Sequence, residues 1–104
     1  MNIFEIKREA THPGEILREE FVKPLNLTQT ALAKDLGVNF RTINELINEK
    51  RNISPLMALK LAAYFKTTPE FWMNLQVKYD LYRTRIKEDM LNTALNKGVR
   101  FIYF

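Results

Sequence analysis

Residues 29–46 read QTALAKDLGVNFRTINEL. Counting from Gln29, apolar side chains fall at Leu32, Leu36, Val38, Ile43 and Leu46, with a small residue at Ala33 and a glycine at Gly37. Two short helices that cross steeply need a small side chain where they touch and a turn residue that tolerates positive φ. Ala33 and Gly37 supply these. Thr28 is placed to cap the first of the two helices and Asn39 the second, and the apolar positions tie both to a common core. This is the spacing of a helix-turn-helix. Two amphipathic helices joined by a glycine turn also occur in small bundles with no binding role. The outward face of the second helix decides between the two readings, because it carries Asn39, Phe40, Arg41, Asn44 and Glu45 rather than a solvating set of lysines.

Those five are candidate base-reading residues. Arginine can bridge guanine O6 and N7, asparagine can bridge adenine N6 and N7, glutamate can accept from cytosine N4, and a phenyl ring can pack on a thymine methyl or a sugar. Arg41 and Glu45 also stand four apart, the spacing of a helix-surface ion pair. Such a pair is compatible with reading, since it can hold Arg41 until DNA replaces the carboxylate. Phe40, an exposed aromatic at the start of a polar helix, has no comparable role in water. Candidate phosphate contacts flank the reader helix. Thr28 and Gln29 lie at the positive end of the preceding helix, and Asn48, Lys50 and Arg51 follow the reader helix directly. Ordinary loop solvation is the competing role for Lys50 and Arg51.

Outward from this segment, helix signals recur. His12-Pro13-Gly14-Glu15 puts proline at a first helical position with an acid in the first turn, and Ile16, Leu17, Phe21 and Val22 form an apolar face that ends before Pro24. Ser54-Pro55 opens a fourth helix with Leu56, Met57, Leu59, Leu61, Ala62 and Phe65, apolar enough to be expected at the centre of the core. Thr68-Pro69-Glu70 opens a fifth, with Trp72, Leu75, Tyr79, Tyr82 and Ile86 in a stripe. If helix ran unbroken from Pro69 to Lys97 it would span about 43 Å, longer than a domain of this size is wide, so it must break or protrude. The stripe shifts phase to Met90, Leu91, Ala94 and Leu95, which places a bend or boundary near Arg83-Thr84-Arg85, and Gly98 stops the helix. Residues 99–104 are β-branched and aromatic and suit a short terminal strand that docks on a partner. The chain is therefore read as all-α: an arm at 1–10, a five-helix domain at 11–83 and an extension at 84–104.

Composition agrees with one such domain. The chain has 104 residues, 46% hydrophobic and 27% charged, and no cysteine, so neither disulfides nor thiolate ligands enter the argument. The longest apolar stretch, Leu56 to Phe65, is interrupted by Lys60 and is too short to span a bilayer; the N-terminus lacks a secretory pattern, and a cytoplasmic location is expected. Net charge is +4, but residues 1–52 balance eight Lys/Arg against eight Asp/Glu, while 53–104 carry eight against four. The excess is C-terminal, so DNA binding would rest on local arrangement. An enzyme is not expected. His12 is the single histidine and sits at a helix start, no metal-ligand cluster is present, and Glu19, Glu20, Glu88 and Asp89 lie on charge-rich helical faces. No cofactor is called for.

Several further runs carry a family resemblance: HPGEIL (12–17), LTQTALA (27–33), RTINELIN (41–48), Ile53-Ser54-Pro55 and EFWMNLQ (70–76). Together they closely resemble the HigA antitoxin family, also called VapI-like, of the lambda-repressor-like (Xre/Cro) helix-turn-helix class, over about residues 11–83. The resemblance implies a five-helix DNA-binding domain acting as a dimer on an inverted repeat in its own promoter. It also implies a HigB toxin partner, a messenger-RNA-cleaving ribonuclease that the antitoxin neutralises. By position it puts Gln29 and Asn48 on phosphate and Asn39, Phe40, Arg41 and Glu45 on bases. The class often has glutamine or serine where Phe40 stands. Both this chain and HigB-type toxins are basic, so toxin binding would rest on local acids or apolar surface.

Candidate dimer or partner contacts are Trp72, Tyr79, Tyr82, Phe101 and Tyr103. Within the fifth helix, Trp72 and Leu75 are expected inward, with Tyr79 and Tyr82 nearer a dimer contact. Two alternatives stand beside an antitoxin: a repressor without a toxin, and a protein-interaction module that keeps the helix-turn-helix as scaffold.

Overall fold

Each of the five helices begins at a side chain that accepts a hydrogen bond from the first turn, at the positions the sequence marks. A computed structural model describes residues 10–95. Helix α1 starts as an α-helical turn, Pro13–Ile16, and continues as a π-helical stretch, Leu17–Val22. Its cap is His12, whose Nδ1 accepts from Gly14 N at 2.8 Å. Helix α2, Gln29–Leu36, is capped by Thr28 Oγ1, which accepts from Ala31 N at 3.0 Å. Helix α3, Phe40–Ile47, is capped by Asn39 Oδ1 accepting from Thr42 N at 2.8 Å. Helix α4, Pro55–Phe65, is capped by Ser54 Oγ accepting from Met57 N at 3.1 Å. Helix α5 runs from Pro69 to Leu95, and Thr68 Oγ1 accepts from Phe71 N at 3.1 Å. Each such cap satisfies one amide that a helix start otherwise leaves unpaired.

The core joins all five helices. Leu17, Leu32, Ile43, Leu46, Leu61 and Trp72 are fully buried, and Phe21 lies with its ring centroid 4.8 Å from Phe65 and 5.2 Å from Trp72. Helix α4 lies less deeply than its composition suggests. Met57, Ala58, Leu61 and Ala62 face inward, but Leu56 is 63% and Leu59 56% exposed. The helical period sends these two leucines to the opposite face, so α4 covers the core instead of threading it.

Helix α5 passes through Arg83-Thr84-Arg85 without interruption. The expected bend is absent because residues 70–95 contain neither glycine nor proline, and a shifted stripe alone does not break a helix. The helix protrudes instead: its 27 residues reach about 40 Å at the standard rise. Burial fades along it. Trp72 and Gln76 are buried, Tyr79 and Tyr82 half-buried, and Ile86, Met90 and Leu91 exposed. Among the described residues there is no strand, and no helix is long and apolar enough to cross a membrane. The terminal strand expected at 99–104, with Phe101 and Tyr103, lies outside the described residues, as does most of the arm.

Candidate nucleic-acid interface

The α2–α3 pair forms as its spacing requires. Ala33 is buried at the crossing, Gly37 takes φ 70° at the turn, and Val38 N donates to Ala33 O at 3.0 Å. Side chains distant in sequence then fasten the pair to the domain. Lys60 Nζ donates to Leu36 O at 2.7 Å, placing a cation on the C-terminus of α2, and Arg18 Nη1 donates to Ile47 O at 2.6 Å, doing the same for α3. Tyr64 Oη donates to Asp35 Oδ2 at 2.8 Å. Gly14 lets α1 pass directly against the Leu46 carbonyl, where any Cβ would collide with the oxygen. Arg18, Lys60 and Gly14 have no signal in the helix-turn-helix spacing, because their partners lie 24 to 32 residues away.

The outward face of α3 holds the five candidate readers, but they are not equally free. The Arg41 side chain is 83% exposed and Phe40 is half exposed, whereas Asn44 and Glu45 are partly buried. Asn39 Oδ1 accepts from both Thr42 N and Thr42 Oγ1, each at 2.8 Å, so its amide nitrogen is the part left to approach a base. A bidentate grip on adenine would need Oδ1 as well. Asn44 Nδ2 donates to Gln29 Oε1 at 2.9 Å, which joins a candidate reader to a candidate phosphate residue across the two helices. Asn48 Nδ2 donates to Asn44 O at 2.9 Å, closing the end of α3.

Glu45 sits at the centre of a three-residue network. Its Oε1 accepts from Arg51 Nη2 at 2.8 Å and Nε at 3.2 Å, and its Oε2 accepts from Arg41 Nε at 3.3 Å. The Arg51 hydrogen bonds, with Arg41 adding to them, hold the Glu45 carboxyl below the ordinary range, so it stays charged near neutral pH. The Arg41–Glu45 pair expected from spacing is present, and the structure adds Arg51 to it. One carboxylate thus engages two arginines whose side chains are 83% and 46% exposed. Lys50 is exposed beside them. Thr28 and Gln29 lie together at the start of α2, and Gln29 and Asn48 both meet α3 at Asn44.

The candidate contact residues of α5 divide. Trp72 is 0% exposed and its Nε1 donates to Thr67 Oγ1 at 2.8 Å, so it is a core residue and cannot meet a partner. Its inward position follows from the stripe, which packs against the domain at this end. Tyr79 is half-buried with its ring edge-on to His12 at 4.7 Å between centroids, and Tyr82 is half-buried further out. His12 is itself buried, and burial lowers its pKa, with Glu49 and Asp80 opposing. No group of three or more His, Cys, Asp or Glu among the described residues could hold a metal ion.

Residues 17–72 match the helix-turn-helix family model. Virulence-associated protein I of Dichelobacter nodosus is 45% identical over 86 residues, covering 83% of this chain and 80% of that protein. Antitoxin HigA-1 of Vibrio cholerae is 44% identical over 79 residues, covering 76% and 74%. Among solved structures, the Pseudomonas aeruginosa protein PA4674, in complex with its 28-base-pair operator DNA, superposes with a TM-score of 0.76 at 40% identity, covering 82% of this chain and 94% of that one. The chain belongs to the Xre-like helix-turn-helix family, in the branch that holds the HigA antitoxins and the VapI-like proteins.

Proposed function

We propose that this protein is a sequence-specific DNA-binding antitoxin that represses its own operon as a dimer and neutralises a HigB-type ribonuclease toxin. The observation that carries the DNA reading is the outward face of α3. Arg41, 83% exposed, leans on a neighbouring carboxylate and is free to exchange it for a guanine edge. Asn44 and Asn39 border it, Phe40 offers an apolar contact, and Gln29, Thr28, Asn48, Lys50 and Arg51 supply phosphate partners around it. Kinship with an operator-bound protein and with a HigA antitoxin supports the same reading.

Dimerisation is assigned to the outer half of α5 and the extension at 84–104. The face that buries Trp72 and Gln76 continues outward past Tyr79, whose ring packs on His12, to half-buried Tyr82 and then to Ile86 and Met90, which are exposed. A second copy would cover it and would set two reader helices about 34 Å apart, the repeat of successive major grooves. The toxin partner rests on membership of the antitoxin branch.

Selection of bound duplexes from a random pool tests this function. At one fixed moderate salt concentration, the wild type is expected to enrich an inverted repeat with half-sites about one helical turn apart. Ile86→Glu should shift sedimentation toward monomer and weaken that enrichment. No enriched sequence, with the folded protein in hand, would overturn the reading. Co-purification with a HigB-type toxin, and loss of the toxin's RNA cleavage in the complex, tests the antitoxin role.

A further inference from the structure

Helix α5 reaches the candidate DNA face through one buried side chain. Gln76 is 4% exposed, and its amide makes three hydrogen bonds. Oε1 accepts from Ile53 N at 2.7 Å, while Nε2 donates to Asn52 Oδ1 at 3.2 Å and to Asp80 Oδ1 at 2.9 Å. These partners fix the amide's orientation, since a backbone N–H can only donate and a carboxylate can only accept. The segment being held is the short connection from α3 to α4, which carries Lys50 and Arg51 immediately before Asn52. At its near end, Lys50 N donates to Glu45 O at 2.8 Å and Arg51 is bonded to the Glu45 side chain. At its far end Ile53 is 3% exposed, sunk in the core next to the Gln76 bond. Lys50 and Arg51 therefore ride on a strap pinned at one end by α3 and at the other by α5.

We infer that Gln76 is a positioning residue for DNA binding: it sets the strap that presents Lys50 and Arg51 to the phosphate backbone, and so makes the affinity answer to α5. The inference rests on the reading of Lys50 and Arg51 as phosphate contacts. The chemistry is simple. A buried amide whose donors and acceptor are all used holds its partners in a single arrangement, and a missing partner leaves a buried polar group unpaired. Because Asp80 lies one turn along α5 from Gln76, the helix supplies both the clamp and the group that orients it.

The test exchanges donor and acceptor across the clamp. Gln76→Glu keeps an acceptor for Ile53 N but loses the donors and sets a second carboxylate against Asp80. Asp80→Asn keeps an acceptor for Gln76 Nε2. The double variant Gln76→Glu/Asp80→Asn lets the new amide donate to the new carboxylate, restoring the pair in reverse. Full-length proteins are titrated onto a labelled mixed-sequence duplex over a range of salt concentrations, with the folded fraction checked by circular dichroism. Removing one phosphate interaction lowers the slope of log affinity against log salt by about 0.9. The expected result is a reduced slope for Gln76→Glu, the wild-type slope for Asp80→Asn, and recovery in the double variant. A structural role alone would weaken binding by the same factor at every salt concentration, leaving the slope unchanged, and that outcome overturns the inference. So does failure of the double variant to recover. Lys50→Ala and Arg51→Ala separate the two layers: if neither lowers the slope, the phosphate reading fails and the clamp with it, whereas if they do and Gln76→Glu does not, only the clamp fails.

Discussion

The α2–α3 pair and the outer half of α5 are both helical and both exposed, yet they are built on opposite terms. Around α2 and α3, almost every polar side chain is occupied by another part of the same chain: Asn39 and Thr28 cap, Asn44 holds Gln29, Glu45 holds two arginines, and Arg18 and Lys60 close the helix ends. Beyond Tyr82, α5 presents Ile86, Met90 and Leu91 to solvent. The first region is held in one geometry before any ligand arrives, which suits recognition of a rigid duplex, because little ordering remains to be done on binding. The second has apolar area in search of a surface. On the proposed function, the first is the DNA-reading face and the second the association face, and Gln76 lies between them in the fold.

Substitutions along α5 sharpen that contrast most. Trp72→Ala empties a fully buried site at the inner end and is expected to cost about 3–5 kcal/mol in urea or thermal unfolding. Met90→Ala, at the 67%-exposed outer end, should stay within about 0.5 kcal/mol when measured on monomer. A comparable cost at both positions would mean that the outer half is packed in the isolated chain. A smaller effect belongs to the turn of the reading face. Gly37→Ala places a side chain at φ 70°, where the nearest atom, Lys60 Nζ, is 3.7 Å from the new Cβ, so space is sufficient and backbone strain is the cost. That cost is about 1–2 kcal/mol of stability, with DNA affinity of the folded protein little changed.

The smallest of these effects is a dependence on pH at the junction between the two regions. His12 caps α1 as the neutral imidazole, and burial lowers its folded pKa below the ordinary value of 6.5 despite Glu49 and Asp80 nearby. The unfolded chain therefore binds the proton more readily than the folded one below that value. The cap's contribution is complete above pH 6.5 and is lost as pH falls through the depressed folded pKa. Denaturant unfolding at several pH values should show stability level above neutrality and declining below it. His12→Asn retains a cap acceptor without titrating, and it should flatten the near-neutral part of that decline. An identical decline in the variant would assign it to other groups.

Helix starts are plain in the sequence because a cap is a local event: Thr28, Asn39, Ser54 and Thr68 each bond to an amide three residues ahead. The α2–α3 pair is legible for the same reason, since Ala33, Gly37 and the apolar positions fix one another's spacing. What cannot be read is long-range. The bonds of Arg18 to Ile47, Lys60 to Leu36 and Gln76 to Ile53 span 29, 24 and 23 residues, and each donor or acceptor looks like an ordinary polar residue until the fold brings its partner near. Leu56 and Leu59 mislead when composition is weighed without phase. The break expected at Arg83–Arg85 rests on a drifting stripe where no residue actually disfavours helix.

Whether α3 reads base edges through Arg41 is decided by a base-by-base comparison. Affinities of the wild type and Arg41→Ala would be measured, at one salt concentration, against the enriched duplex and every single base-pair replacement in one half-site. Arg41→Ala is expected to lose about 1–3 kcal/mol on the parent duplex and to cease discriminating at one base pair while retaining its preferences elsewhere. Unchanged affinity, or a uniform loss with discrimination intact at every position, would contradict that role for Arg41.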